Sequence, residues 1–174
     1  MNLKKFLMLV LVLGLLTACA IDEDENTSGN GDNNDAVSGA TQVVVEDEAS
    51  MLEGISEDGA WIIIFEGDLT TDEELVLEGD FTHRDEPARK LALYTQDDDR
   101  VIIDQFTLTA PQLTIASENT RLQGGTFVGD VYVEAEGFSI PDGTIDGNVY
   151  FASEEVQEAA DLDGGTVTGT VEVQ

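Results

Sequence analysis

From Gln42 to Gln174 the apolar residues fall in short runs in which every second position is polar or small, the period of a strand and not of a helix. Near the C-terminus the pattern repeats. Gly125-Thr126-Phe127-Val128-Gly129-Asp130-Val131-Tyr132-Val133 matches Gly143-Thr144-Ile145-Asp146-Gly147-Asn148-Val149-Tyr150-Phe151 at an offset of 18, and after a longer interval Gly165-Thr166-Val167-Thr168-Gly169-Thr170-Val171-Glu172-Val173. A degenerate copy lies upstream, with Leu113-Thr114-Ile115 in place of Val131-Tyr132-Val133 and Pro111 in place of Gly129. Leu122, Ile140 and Leu162 keep the same register, each five residues before Phe127, Ile145 and Val167.

The repeat predicts an all-β fold, a right-handed β-helix or solenoid with coils of about 18 residues. Side chains alternate along a strand, so Phe127, Val131 and Val133 face inward while Val128, Asp130 and Tyr132 face outward. Gly129, Gly147 and Gly169 are the repeat corners, where the backbone either takes a positive φ or leaves no room for a Cβ. Tyr132 is expected to lie over Tyr150, with Glu172 next in line. The four extra residues of the last interval are assigned to a looped-out helical turn within Ser153 to Ala160. Val171 and Val173 leave an open strand edge on the last copy, a surface through which coils could stack end to end.

Upstream the pattern is less regular. Trp61 to Phe65, Leu75 to Leu77, Leu91 to Tyr94 and Val101 to Ile103 read as strands, and Ala49 to Gly54 as a short helix. Phe65-Glu66-Gly67-Asp68-Leu69 and Leu77-Glu78-Gly79-Asp80-Phe81 echo each other at a closer interval than the later copies, suggesting shorter or distorted coils. The Trp61 to Phe65 segment is expected to cap the N-terminal end. Residues 42-174 thus form one domain, with 42-105 an irregular, cap-like part and 106-174 the regular coils.

The first residues are of another kind. Lys4 and Lys5 precede an apolar run ending in Leu16-Thr17-Ala18-Cys19. From Phe6 to Ala18 that run is 13 residues, about 20 Å of helix against a hydrocarbon core of roughly 30 Å, too short to span comfortably. The order resembles the signal peptide and lipobox of bacterial lipoproteins. The resemblance implies removal of residues 1-18, lipid on Cys19, and an extracytoplasmic protein held on a membrane by that lipid. Residues 19-41 are then the lipidated cysteine and an acidic tether. Ala20 to Thr41 holds six acids, four asparagines and no aromatic residue, too little apolar surface to offset the entropy of ordering.

Charge narrows the partners. Beyond residue 18 only Arg84, Arg89, Lys90, Arg100 and Arg121 stand against 37 acids, a net charge of −32. Such a surface repels nucleic acid and anionic headgroups, so the expected partners are the membrane through the lipid, a second copy, or another cell-envelope component. Four of the five basic residues fall between positions 84 and 100 and could share a docking face; ion pairs with neighbouring acids are their simpler fate.

Catalytic signals are weak. His83 is the lone histidine, with no nucleophile or second acid placed by spacing, and reads as a solvated loop residue. Carboxylates gather at Asp97, Asp98 and Asp99 and at Asp161 and Asp163, candidate calcium ligands that lack the spaced pattern of an EF-hand loop. No cofactor and no enzymatic activity are expected.

The copies of Gly-Thr-φ-x-Gly-(Asp/Asn/Thr)-Val, with φ apolar, resemble the coils of bactofilins, polymer-forming bacterial β-solenoids. The resemblance covers roughly Thr109 to Gln174 and implies a β-helix able to associate through its ends, with no catalytic residues. The expected function is a surface-exposed structural or interaction lipoprotein; the alternative is a lipoprotein that binds a cation, a glycan or a cell-wall component.

Overall fold

The computed structural model describes residues 40–174. The lipobox, Cys19 and the tether as far as Gly39 lie outside the described residues. The first strand begins at Ala40, two residues ahead of the expected boundary, because β1 (Ala40–Val45) pairs in parallel with β2 (Ala60–Phe65).

Parallel ladders organise the chain. A four-stranded sheet runs β1, β2, β7 (Arg89–Ala92), β11 (Thr120–Gln123). Single bridges from Arg121 to Ser139 and from Ser139 to Asp161 continue its line. An eight-stranded sheet carries two more ladders. In the first, β3 (Leu69–Thr70) pairs with the start of β10 (Thr107–Ile115), then β12 (Thr126–Val133), β13 (Thr144–Asp146) and β15 (Thr166–Val167) follow. In the second, β4 (Leu75–Leu77) pairs with the end of β10, followed by the end of β12, β14 (Val149–Phe151) and β16 (Val171–Val173). The registers of the repeat are those of its alignment: Phe127 opposite Ile145, Ile145 opposite Val167, and Val131 opposite Val149.

Alternation decides what these ladders bury. Leu108, Phe127 and Ile145 form one file, Leu113, Val131 and Val149 a second, Leu77, Ile115, Val133 and Phe151 a third, and Ile63, Leu91 and Leu122 a fourth. All belong to one hydrophobic core. Each fully buried side chain of this kind stabilises by roughly 1.5–3 kcal/mol.

The corner glycines explain why the repeat keeps them. Gly129 has φ of +143°, and a Cβ there would overlap the carbonyl oxygen of Ala110. At Gly147 it would overlap the carbonyl of Gly129, and at Gly169 the carbonyl of Gly147. The backbones stack so closely that each carbonyl occupies the space a side chain would need.

Three expectations are corrected. Trp61 to Phe65 is no cap: β2 is hydrogen bonded on both flanks, to β1 and β7. The end is covered instead by α1 (Glu48–Ile55), which buries Met51, Gly54 and Ile55. Asp47 starts this helix by accepting from the Ser50 backbone N–H while Ser50 Oγ accepts from the Asp47 N–H, a reciprocal cap. The echo of Phe65 to Leu69 in Leu77 to Phe81 does not mark short coils either, since Phe65 ends a strand of the four-stranded sheet and Leu77 one of the eight-stranded sheet. The partners of β3 and β4 lie far downstream, Leu108 for Leu69 and Leu113 for Leu75, because two antiparallel hairpins intervene. These are β5 (Thr82–His83) with β6 (Glu86–Pro87), and β8 (Tyr94–Gln96) with β9 (Ile102–Gln105). Finally, Pro111 does not stand alone opposite Gly129. Thr109 pairs with Val128 and Gln112 with Asp130, so Ala110 and Pro111 together face one glycine across a bulge.

The looped-out turn is α2 (Glu154–Glu158), capped by Ser153 Oγ accepting from the Val156 N–H. Among the described residues no helix is long and apolar enough to cross a membrane.

Candidate functional site

The four-stranded sheet has one face in the core and one outside. Opposite the buried file of Ile63, Leu91 and Leu122, the register lines up Ile62, Lys90, Arg121 and Ser139, continuing to Asp161. These form the floor of a groove of about 820 Å³.

One wall of the groove is the β5–β6 hairpin. Its two-residue turn is Arg84-Asp85, with φ of 56° and 65°, the left-handed turn that matches the twist of a hairpin. The hairpin brings the His83 ring onto Trp61, with centroids 4.7 Å apart and planes 16° from parallel. His83 is exposed, as a loop residue would be, yet it lies in a strand and stacks. Asn119, Gly137 and Ala159 contribute to the rim.

Arg84, Arg89, Lys90 and Arg121 all line this groove. Arg100 does not; it sits at the β8–β9 turn, its N–H donating to the Asp97 carbonyl. Three of the four clustered cations therefore border one groove, joined there by Arg121, distant in sequence, in place of Arg100. Among the described residues, Lys90 and Arg89 donate to groups other than carboxylates. Lys90 Nζ donates to the Tyr94 hydroxyl at 2.6 Å and lies over the Tyr94 ring. Arg89 Nη2 donates to the carbonyls of Gly54 and Ser56, at 3.0 Å each.

Arg89 is 1% exposed, and its guanidinium carbon lies 3.9 Å from the centre of the Phe81 ring. Its Nε and Nη1 are buried without a hydrogen-bond partner. Burial brings its pKa down to about 10, partly opposed by the Glu78 carboxylate. It therefore remains protonated at neutral pH, a fixed positive charge beneath the groove.

Two of the candidate calcium ligands, Asp97 and Asp161, have structural roles. Asp97 Oδ1 accepts from the backbone N–H groups of Asp99 and Val101, closing the β8–β9 turn. Asp161 Oδ1 accepts from the Asp163 N–H. Asp161 also lines the groove, which Asp97, Asp98, Asp99 and Asp163 do not. Among the described residues no three acidic, histidine or cysteine side chains are grouped to hold a metal ion.

On the eight-stranded sheet Tyr132 and Tyr150 are paired with ring centroids 4.9 Å apart, and Glu172 follows in register, as alignment implied. Beside them Asp130 Oδ1 accepts from both the N–H and the side-chain amide of Asn148. The Asn148 Oδ1 accepts in turn from the Thr170 N–H. These bonds form a polar ladder along the corner.

Sequence reading missed the groove because its parts come from segments as far apart in the chain as Trp61, Arg121 and Asp161. The available signal was the scarcity of cations, which made any convergence of them informative. No protein-family model matches the chain, and neither a curated protein nor a solved structure matches it.

Proposed function

We propose that the protein is a lipid-anchored, extracytoplasmic binding lipoprotein, a right-handed β-solenoid whose groove beside the four-stranded sheet takes up a cell-envelope ligand. The observation that carries the reading is the gathering of Arg84, Lys90 and Arg121, three of the five basic side chains beyond residue 18, in one depression of a strongly acidic chain, with the Arg89 guanidinium buried beneath it. The lipobox sequence supports the anchor, and the parallel, in-register ladders with glycine corners support the solenoid. The mode of action is display and binding, without catalysis: lipid sets the position, the tether gives reach, and stacked strands hold the groove rigid.

Two measurements test it. Cys19→Ser should move the protein from the membrane to the soluble fraction. Ser139→Trp, which fills the groove floor, should abolish retention of isolated envelope glycans by the full chain; retention of none by the unaltered protein overturns the reading.

The bactofilin-like repeat keeps self-assembly as a second reading. It is favoured by the half-exposed Val171 and Val173 on β16, which among the described residues pairs only with β14. Sedimentation that stays monomeric at all concentrations, and after Glu172→Val, counts against it.

A further inference from the structure

We infer that the groove reads an anionic glycan, a polymer of pyranose rings bearing carboxylates, laid across the strands of the four-stranded sheet. The inference rests on the groove being the binding surface.

Charge is the first argument. With 37 acidic side chains against five basic ones beyond residue 18, the net field of the chain repels an anion. Arg84, Lys90 and Arg121 face one depression with the buried Arg89 beneath it, against the lining carboxylates Glu86 and Asp161, so the local balance is positive and an anion entering there is held. Arg89 strengthens the field from below without being reached by water, since a buried charge is screened far less than an exposed one.

Geometry is the second. Ile62, Lys90, Arg121 and Ser139 sit on successive strands, about 4.8 Å apart. The rise per ring of an extended glycan is close to that spacing, so neighbouring rings present their carboxylates to Lys90 and Arg121 in turn. A volume of about 820 Å³ is ample for a short stretch of such a chain, within the roughly 300–1,000 Å³ of ordinary ligand sites.

The third argument separates a sugar from a simple polyanion. Trp61, half-buried and backed by His83, supplies a flat apolar surface suited to the C–H face of a pyranose. Asn119, Ser139 and Asp161 supply donors and acceptors for ring hydroxyls. A polyol phosphate chain would use the cations and leave Trp61 idle.

Calorimetric titration of the full chain tests this with oligogalacturonate, oligoglucuronate and oligomannuronate, their carboxyl-reduced neutral counterparts, and a glycerol phosphate polymer. The expected result is binding of at least one uronate, about tenfold or more weaker with its reduced form. Arg121→Glu should weaken binding about tenfold or more. Arg100→Glu, which changes the net charge equally but lies outside the groove, should leave it unchanged. Trp61→Ala should weaken uronate binding, with circular dichroism confirming that each variant keeps its strands. Equal binding of reduced and carboxylated glycans overturns the acidic specificity while leaving a glycan-binding groove. Preference for the phosphate polymer overturns the sugar assignment. Binding of no envelope polymer removes the groove reading itself.

Discussion

Arg89 donates from Nη2 to the carbonyl oxygen of Gly54 at 3.0 Å, and so ends a helix from a strand 35 residues away. The last turn of α1 contains no basic residue of its own. Its terminal carbonyls and the negative end of its dipole are met instead by a guanidinium on β7. The same guanidinium lies beneath the groove that residue 89 borders, so the cap of the core and part of the charge under the candidate site share one residue.

Removing Arg89 separates these roles. Arg89→Ala leaves two carbonyls without their donor and a void beside Phe81, and should cost about 3–4 kcal/mol in urea denaturation. Arg89→Met fills the void and also removes the cost of burying a charge, so its loss should be smaller, about 1–2 kcal/mol.

The pH dependence of that difference has a defined sign. Burial lowers the pKa of Arg89 to about 10 in the folded protein. Above pH 10 the unfolded chain holds this proton while the folded chain releases it. The unaltered protein should therefore gain stability relative to Arg89→Met as pH rises from 10 towards 12, by about 1.4 kcal/mol per unit at most. A difference that is flat or falls across this window would show that the charge is not buried.

Gly147→Ala should destabilise by about 1–3 kcal/mol, because the added methyl overlaps the carbonyl of Gly129 in a stack that cannot spread without breaking its ladders. Gly67→Ala is the control, having no atom within 4 Å of the new methyl, and should stay within about 0.5 kcal/mol of the parent.

Asn148→Asp sets a carboxylate against Asp130, where an amide now donates at 2.9 Å. Repulsion should raise the pKa of the new group in the folded state. The variant should be destabilised at pH 7 and should recover part of that loss as pH falls below about 5, since the folded chain then binds the proton more readily.

Tyr150 should ionise above the usual range of a phenol. Its pKa is raised by desolvation first, then by Asp130, Tyr132 and Glu172. Ultraviolet titration should show a phenol transition above the usual range that disappears in Tyr150→Phe and moves down in Glu172→Gln.

The C-terminal parallel ladders were legible because their information is local and repeated. Phe127, Ile145 and Val167 recur with the same neighbours, so self-alignment supplies the parallel register before any coordinates. The stack of Tyr132 on Tyr150 followed from register alone. The N-terminal half was not legible in the same way. Ile62 meets Lys90 and Lys90 meets Arg121 across long, unequal stretches of chain, and nothing in the intervening hairpins announces either separation.

What the sequence determined by itself was the strand period, the C-terminal repeat with its glycine corners, and the acidity, each readable within a few neighbouring residues or by comparing copies. Only tertiary structure decided which end α1 covers, how Arg89 is buried, and which cations share a groove. Those depend on contacts between segments whose spacing is set by inserted hairpins, and a charge distributed along a chain acquires a local field only when folding brings its bearers together.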